Sequence, residues 1–334
     1  MTTGSRFKAT DREWAPTRWT GEFATLSLDA IDRSVGQRSP GKRPFHQHGF
    51  VMAGLFSPSE NDATVALLQS LTDFKPFVTE ESKTPAIARI SHMAERFDEP
   101  GVVGLATKFV PTDDEVSDFL ALSTDVFPAA SSRDFANLLD AKKKGIRGLP
   151  KIAVMLASRR LLAGNMLDQF KAERVNHGNG LGTTFHGLQT FRLVGNGRRP
   201  KEPVRSTPMR YRWVPAQENP AGTFQHFGAN LGQEFQKVRF HLDLVLRPLD
   251  GPATGTQEDR IDDPRYRWPT HARVIRAGTM TLNKIISEED GGLNFNPAVL
   301  APGIQMGDSE LFSSRQGAYS KSFIRRAKEA RSIR

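Results

Sequence analysis

The sequence predicts an α+β protein: a closed antiparallel β-barrel of eight strands with helices packed around it. Two observations carry that prediction. Four strand-like runs, at about 46–56, 85–91, 103–111 and 118–124, precede a helical insert, and four more follow it at about 185–194, 209–215, 237–248 and 270–285. In the seventh run Val238, Phe240, Leu242, Leu244 and Leu246 alternate with Arg239, His241, Asp243 and Arg247, which is a strand with one buried and one wet face. An antiparallel sheet of this size manages its edges by closing on itself.

Taken in order, residues 1–40 hold Trp14 and Trp19 among polar residues without periodicity. They read as an extended arm that wraps the domain or a partner subunit, which leaves a homo-oligomer open. Residues 41–334 form one domain. Helical stretches flank the first four strands near 59–72 and 132–144. The insert runs from Leu149 to about Val175 with Pro150 at its start, where a missing N–H costs nothing, and Asn176–Gly182 then breaks it. Pro and Gly enrich the linkers at 196–208 and 248–265, and no internal repeat is present.

Composition bounds the function. At 334 residues, with 25% charged and 38% apolar, the chain can bury a sizeable core. It has no cysteine, which excludes disulfides, thiolate ligation and an iron–sulfur cluster. The first residues carry charges with no apolar stretch behind them, and no segment approaches a membrane span, so a cytoplasmic protein is expected. A net charge of +9 raises the question of nucleic acid, but the basic residues are spread along the chain and their densest run, Arg325 to Arg334, reads as a solvated helix end. No specific nucleic-acid partner is expected.

Two constellations carry candidate chemistry. Tyr319, one of three tyrosines, follows Arg315 by four and precedes Arg326 by seven, and in a helix those offsets share one face. The face is either a solvated surface with a half-buried ring or a phenol held between two guanidiniums for binding. Far away, Arg43-Pro-Phe-His46-Gln-His48-Gly49 opens the apolar run Phe50–Phe56. Its histidines fit a metal pair, a catalytic base or buried core imidazoles.

The segment from Arg43 to Gly49 resembles the distal-histidine motif of the catalase superfamily, in which an arginine precedes the histidine by three and a glycine follows it by three. The resemblance continues in order through Ala88-Arg89-Ile90-Ser91, Gly104–Phe109, Thr184–Val194, Arg210–Pro215, Asn294–Pro297 and Arg315-Gln-Gly-Ala-Tyr319, over roughly residues 40–330. The length is similar to that of the single-domain catalase-related peroxidases. The resemblance implies a catalase-like barrel with a C-terminal proximal-tyrosine helix, and haem b (iron protoporphyrin IX) as cofactor. It implies a haem-dependent peroxidase that reduces peroxide with a small organic reductant.

The resemblance also assigns roles. Tyr319 is the iron ligand, its anion favoured by iron and by Arg315. His46 is the acid–base group that moves a proton between the peroxide oxygens. Ser91 bonds the histidine and fixes its tautomer. Arg43, Arg89 and Arg326 pair with the haem propionates. Phe127 and Phe135 line the distal pocket, although ordinary core phenylalanines would look the same. His48 replaces a lysine and, on a regular strand, points to the same side as His46.

Two departures qualify the reading. Leu122 stands where large catalases carry a distal asparagine, and Val103 stands where many members carry an arginine. The first removes a hydrogen-bond donor to peroxide and favours peroxidase over catalase chemistry. Two rivals stay open: a hydroperoxide isomerase acting on a lipid beside Leu122 and Phe45, and a non-catalytic haem-binding protein.

Overall fold

The structure is a computed structural model that describes residues 43, 46, 48–79, 83–92, 101–112, 114–129, 131–143, 181–195, 206–217, 219, 237–246, 262–268, 272–287, 293–307 and 309–332, with isolated positions between 147 and 171. The N-terminal arm, most of the helical insert, and the breaker lie outside the described residues up to Gly180.

The first strand, β1 (His48–Pro58), is followed by helices α1 (Asp62–Leu71) and α2 (Lys75–Val78), then by β2 (Thr84–His92), β3 (Val103–Thr112) and β4 (Glu115–Leu122). Helix α3 (Ser132–Lys143) precedes β5 (Phe185–His186), β6 (Phe191–Val194), β7 (Ser206–Pro215), β8 (Val238–Leu246) and β9 (Arg273–Ser287). A short β10 (Ile304–Met306) and helix α4 (Glu310–Ser332) complete the described elements.

Eight strands close the barrel in the order β7-β5-β4-β3-β2-β1-β9-β8, with β8 returning to β7. The run expected as one strand at 185–194 is broken. Phe185 pairs with Trp213 but Phe191 pairs with Met209, so two extra residues bulge out of the ladder between β5 and β6. Beyond that break β6 pairs with β10, a strand the sequence pattern did not indicate. His48, rather than His46, begins β1.

Aromatic side chains fill the barrel. Phe56, Phe109 and Phe119 are fully buried, and their rings meet edge to face at centroid distances of 5.1 and 5.2 Å. Each such pair adds about 1 kcal/mol to the area it buries. Trp213 and Tyr211 close the same cluster. In β8 the apolar alternation points inward as its pattern requires. Asp243 departs from the wet-face expectation: it is buried on the outer face and accepts hydrogen bonds from Arg212 and Arg276 on the neighbouring strands.

Outside the barrel, α1 starts where Asn61 Oδ1 accepts from the Thr64 N–H, and α3 starts where Ser131 Oγ accepts from the Asp134 N–H. No helix among the described residues is long and apolar enough to cross a membrane.

Candidate active site

The outer wall of strands β1 to β5 presents its side chains in rows. One row runs Gly49, Ser91, Gly104, Leu122, His186, and the next runs Val51, Arg89, Ala106, Leu120. A third carries Ala53, Ile87, Lys108 and Asp118. Rows lie two residues apart, about 6.6 Å along the strands.

His46 lies over the first row. Its Nδ1 is 3.3 Å from Ser91 Oγ, and a Cβ on Gly104 would come within 3.2 Å of its ring. The absence of that Cβ leaves room for the imidazole against the wall. Arg89 Nη2 donates to the His46 carbonyl at 2.6 Å. His46 has φ 53, a left-handed conformation that costs a non-glycine residue about 1 kcal/mol or more and persists where neighbours hold it. Because the chain turns there, strand alternation does not reach back to His46, and the condition under which His46 and His48 would share a side, a regular strand, is not met. The side chain of His48 lies outside the described residues.

Burial, then the positive charge of Arg89, lowers His46 from its ordinary value of 6.5 to about 3. The ring is neutral at ordinary pH. With Nδ1 engaged by Ser91, Nε2 is the nitrogen left for a substrate, since it makes no hydrogen bond among the described residues.

On α4, Arg315 Nη2 donates to Tyr319 Oη at 3.1 Å with its guanidinium 5.5 Å from the ring centre, which is the i to i+4 contact expected from the sequence. Tyr266 also has a guanidinium over its ring, that of Arg265, but Asp263 engages that cation through both carboxylate oxygens. Tyr211 donates its hydroxyl to the Leu120 carbonyl inside the core, where burial pushes its phenol far above the ordinary range. Tyr319 is half-buried, with its hydroxyl bonded to the Arg315 guanidinium.

The remaining expected residues fall as follows. Arg326 is buried at 5% exposure, over the ring of Phe323. Arg43 donates to the Leu293 carbonyl at 2.9 Å and lies over Phe295. Phe127 and Phe135 pack on each other at 5.3 Å, brought together from the loop after β4 and from α3. Leu122 stands on the wall between Gly104 and His186. Val103 is fully buried in the barrel core, on the face opposite the rows.

Sequence reasoning passed over Lys108 and Asp118. They form an ion pair on adjacent strands, and Asp118 also accepts from the Asn296 N–H at 2.7 Å. Burial raises the Asp118 carboxyl while Lys108 opposes the rise. Their signal lay in register: β3 and β4 place them opposite each other on the outer wall. His186 was also passed over. It sits beside Leu122, lowered by burial while Asp125 pulls the other way.

The residues fit a haem in their chemistry. Among the described residues no group of three or more His, Cys, Asp and Glu stands together. A phenol oxygen beside a guanidinium would suit an iron ligand, and the buried guanidiniums of Arg89 and Arg326 would suit acidic substituents on a buried ligand.

No protein-family model matches the chain. It is 24% identical over 313 residues to a catalase-related peroxidase of Mycolicibacterium paratuberculosis, covering 89% of this chain and 92% of that one. It is 23% identical over 325 residues to a catalase-related peroxidase of Synechococcus elongatus, covering 92% and 90%. The solved structure of a bacterial catalase matches with a TM-score of 0.65 at 15% identity over 97% of this chain. The chain spans 64% of that catalase's length. The barrel is therefore catalase-like, and the resemblance to catalase-related peroxidases extends over about nine-tenths of the chain.

Proposed function

We propose that this chain, a catalase-like barrel similar along most of its length to catalase-related peroxidases, is a haem-dependent peroxidase. It would reduce hydrogen peroxide or an organic hydroperoxide with a small organic donor. The observation that carries the reading is the anchoring of His46: Ser91 at Nδ1, Arg89 at the carbonyl, Gly104 beneath the ring.

Residues 41–334 would act as one haem-binding domain. Tyr319 would ligate the iron of haem b, with Arg315 at the phenol oxygen, and Arg43, Arg89 and Arg326 would face the propionates. Bound there, the haem supplies the oxidising centre at which a peroxide O–O bond is cleaved and from which a donor is then oxidised. The chain's own part is proton transfer. Neutral His46 accepts a proton at Nε2 from the substrate hydroxyl and returns it to the departing oxygen, while Ser91 keeps the proton-accepting nitrogen turned outward. A neutral imidazole has a lone pair free to accept that proton.

Leu122 directs the choice of reaction. An isobutyl side chain on the row beneath His46 offers no hydrogen bond to a second peroxide, so two-peroxide disproportionation is disfavoured relative to donor oxidation. The same apolar contact supports a second reading, isomerisation of a lipid hydroperoxide without a donor. Reconstitution with haem b, followed by parallel assays of donor oxidation, oxygen evolution and hydroperoxide rearrangement, decides among them. Absence of all three activities in haem-loaded protein would leave only a haem-binding role.

A further inference from the structure

We infer that Asn296, anchored by Asp118, is a positioning residue that sets the Tyr319 helix against the barrel wall. The inference rests on the reading of Tyr319 as the haem ligand. Residues 293–301 cross the outer wall between β9 and β10 and are tied down at every turn. Asp118 Oδ2 accepts from the Asn296 N–H at 2.7 Å, the Asp118 N–H donates to Val299 O at 2.9 Å, and Ser117 Oγ accepts from the Ala301 N–H at 2.7 Å. Asn296 then reaches the other way. Its Nδ2 donates to Ser320 Oγ at 3.3 Å, one residue beyond Tyr319.

The direction of that amide is set locally. Asn296 Oδ1 accepts from the Ala298 N–H at 3.1 Å, which fixes which end of the amide faces α4. The anchor is buried and charged: Asp118 has no exposed surface, its other oxygen is paired with Lys108, and the Lys108 ammonium lies 5.4 Å from the centre of Phe295. Arg43 lies over the same ring at 6.0 Å. One short segment is thus gripped by the strands that bear Arg89 and Ser91's neighbours, by the arginine three residues before His46, and by the residue after Tyr319.

Stability alone gives no reason for this construction. An ion pair buried in an apolar wall is often no better for stability than apolar residues of the same size. What the charged anchor provides is direction, because a carboxylate with one oxygen on Lys108 has its other oriented toward a single backbone N–H. The relation of the phenol oxygen to the wall then follows from a hydrogen-bonded chain Asp118, Asn296, Ser320.

The test uses the full chain in two variants, Ser320→Ala and Asn296→Ala. The first removes the last link without touching the loop and guards against misfolding of the second. Two readouts are taken: hydrogen exchange of α4 amides in the haem-free protein, and the visible spectrum and affinity on titration with hemin. Both variants should speed exchange around residues 316–323, move the ligand-sensitive bands, and weaken hemin binding up to about tenfold, the loss expected for one partly buried hydrogen bond. The double variant should do little more, since the links are in series. Unchanged α4 exchange and an unchanged hemin spectrum in both folded variants would overturn the inference. If Tyr319→Phe retains the wild-type spectrum, it is the ligand reading that fails, whatever the exchange data show.

Discussion

Arg89 Nη2 donates to the backbone carbonyl of His46 at 2.6 Å, and so a guanidinium 43 positions later in the chain holds a left-handed histidine in place. The neighbouring outward residue of β2, Ser91, meets the same histidine at its ring. Two positions of one strand therefore hold both the backbone and the ring of His46. This contact is separate from the propionate pairing that the family resemblance implies for Arg89.

Gly104 is the floor of this arrangement, and a methyl group is enough to test it. In Gly104→Ala the new Cβ would stand 3.1 Å from Ser91 Oγ and 3.2 Å from the His46 ring, so the imidazole must shift. Peroxide cleavage should fall about 10- to 100-fold with hemin affinity little changed, as expected for a small misplacement of a proton-transfer group. Stopped-flow measurement with hydrogen peroxide decides; a wild-type rate would show that His46 position does not matter.

Removing the imidazole should act more strongly. His46→Ala should keep hemin binding and lose peroxide cleavage by about two to four orders of magnitude. His48→Ala serves as the comparison and should remain active. An active His46→Ala protein beside an inactive His48→Ala one would transfer the role to the other histidine.

Tyr319→Phe should abolish or greatly weaken hemin binding while the apo-protein keeps its fold by circular dichroism. The phenol oxygen and its bond to Arg315 are all that the substitution removes. The measurement is a difference spectrum on hemin titration, and a curve that overlays the wild type would exclude Tyr319 as ligand.

Leu122→Asn should raise oxygen evolution from hydrogen peroxide relative to oxidation of a small aromatic donor. A placed polar group in a dry site is worth a few kcal/mol, about two decades in rate. If the ratio of the two activities does not move, Leu122 is not what directs the reaction.

The pH dependence follows from His46, whose folded value lies near 3 against 6.5 when unfolded. A depressed value means that the unfolded chain takes up the proton first, so the stability contribution is complete above pH 6.5 and is lost as the pH falls toward 3. Between pH 7 and 5 the haem-free wild type should lose about 2 kcal/mol more than His46→Gln, from the unfolded-state titration alone. Urea denaturation of both proteins at the two pH values measures the difference, and parallel losses would contradict it. Peroxide cleavage should likewise show no inflection near pH 6.5 that disappears in His46→Gln.

Much of this was legible in the chain itself because it depends on local spacing. Alternation along 237–248 gave β8 its inward face, and the four-residue step from Arg315 to Tyr319 gave their contact, since both follow from the repeat of a strand or a helix. The wet face of Asp243 was misread because alternation reports which side a residue faces, not whether arginines on neighbouring strands cover it.

What the sequence alone determined, then, was the strand and helix periodicities, the eight-strand count and the identity of the ordered motifs around His46 and Tyr319. Only the tertiary structure decided the rest. It broke the 185–194 run into β5 and β6, started β1 after His46, set Gly104 beneath that ring, and joined Asp118 to Ser320 through Asn296. These are relations between positions tens to hundreds of residues apart. They depend on strand register and on which buried polar groups must find partners, and neither is written in the spacing of any one segment.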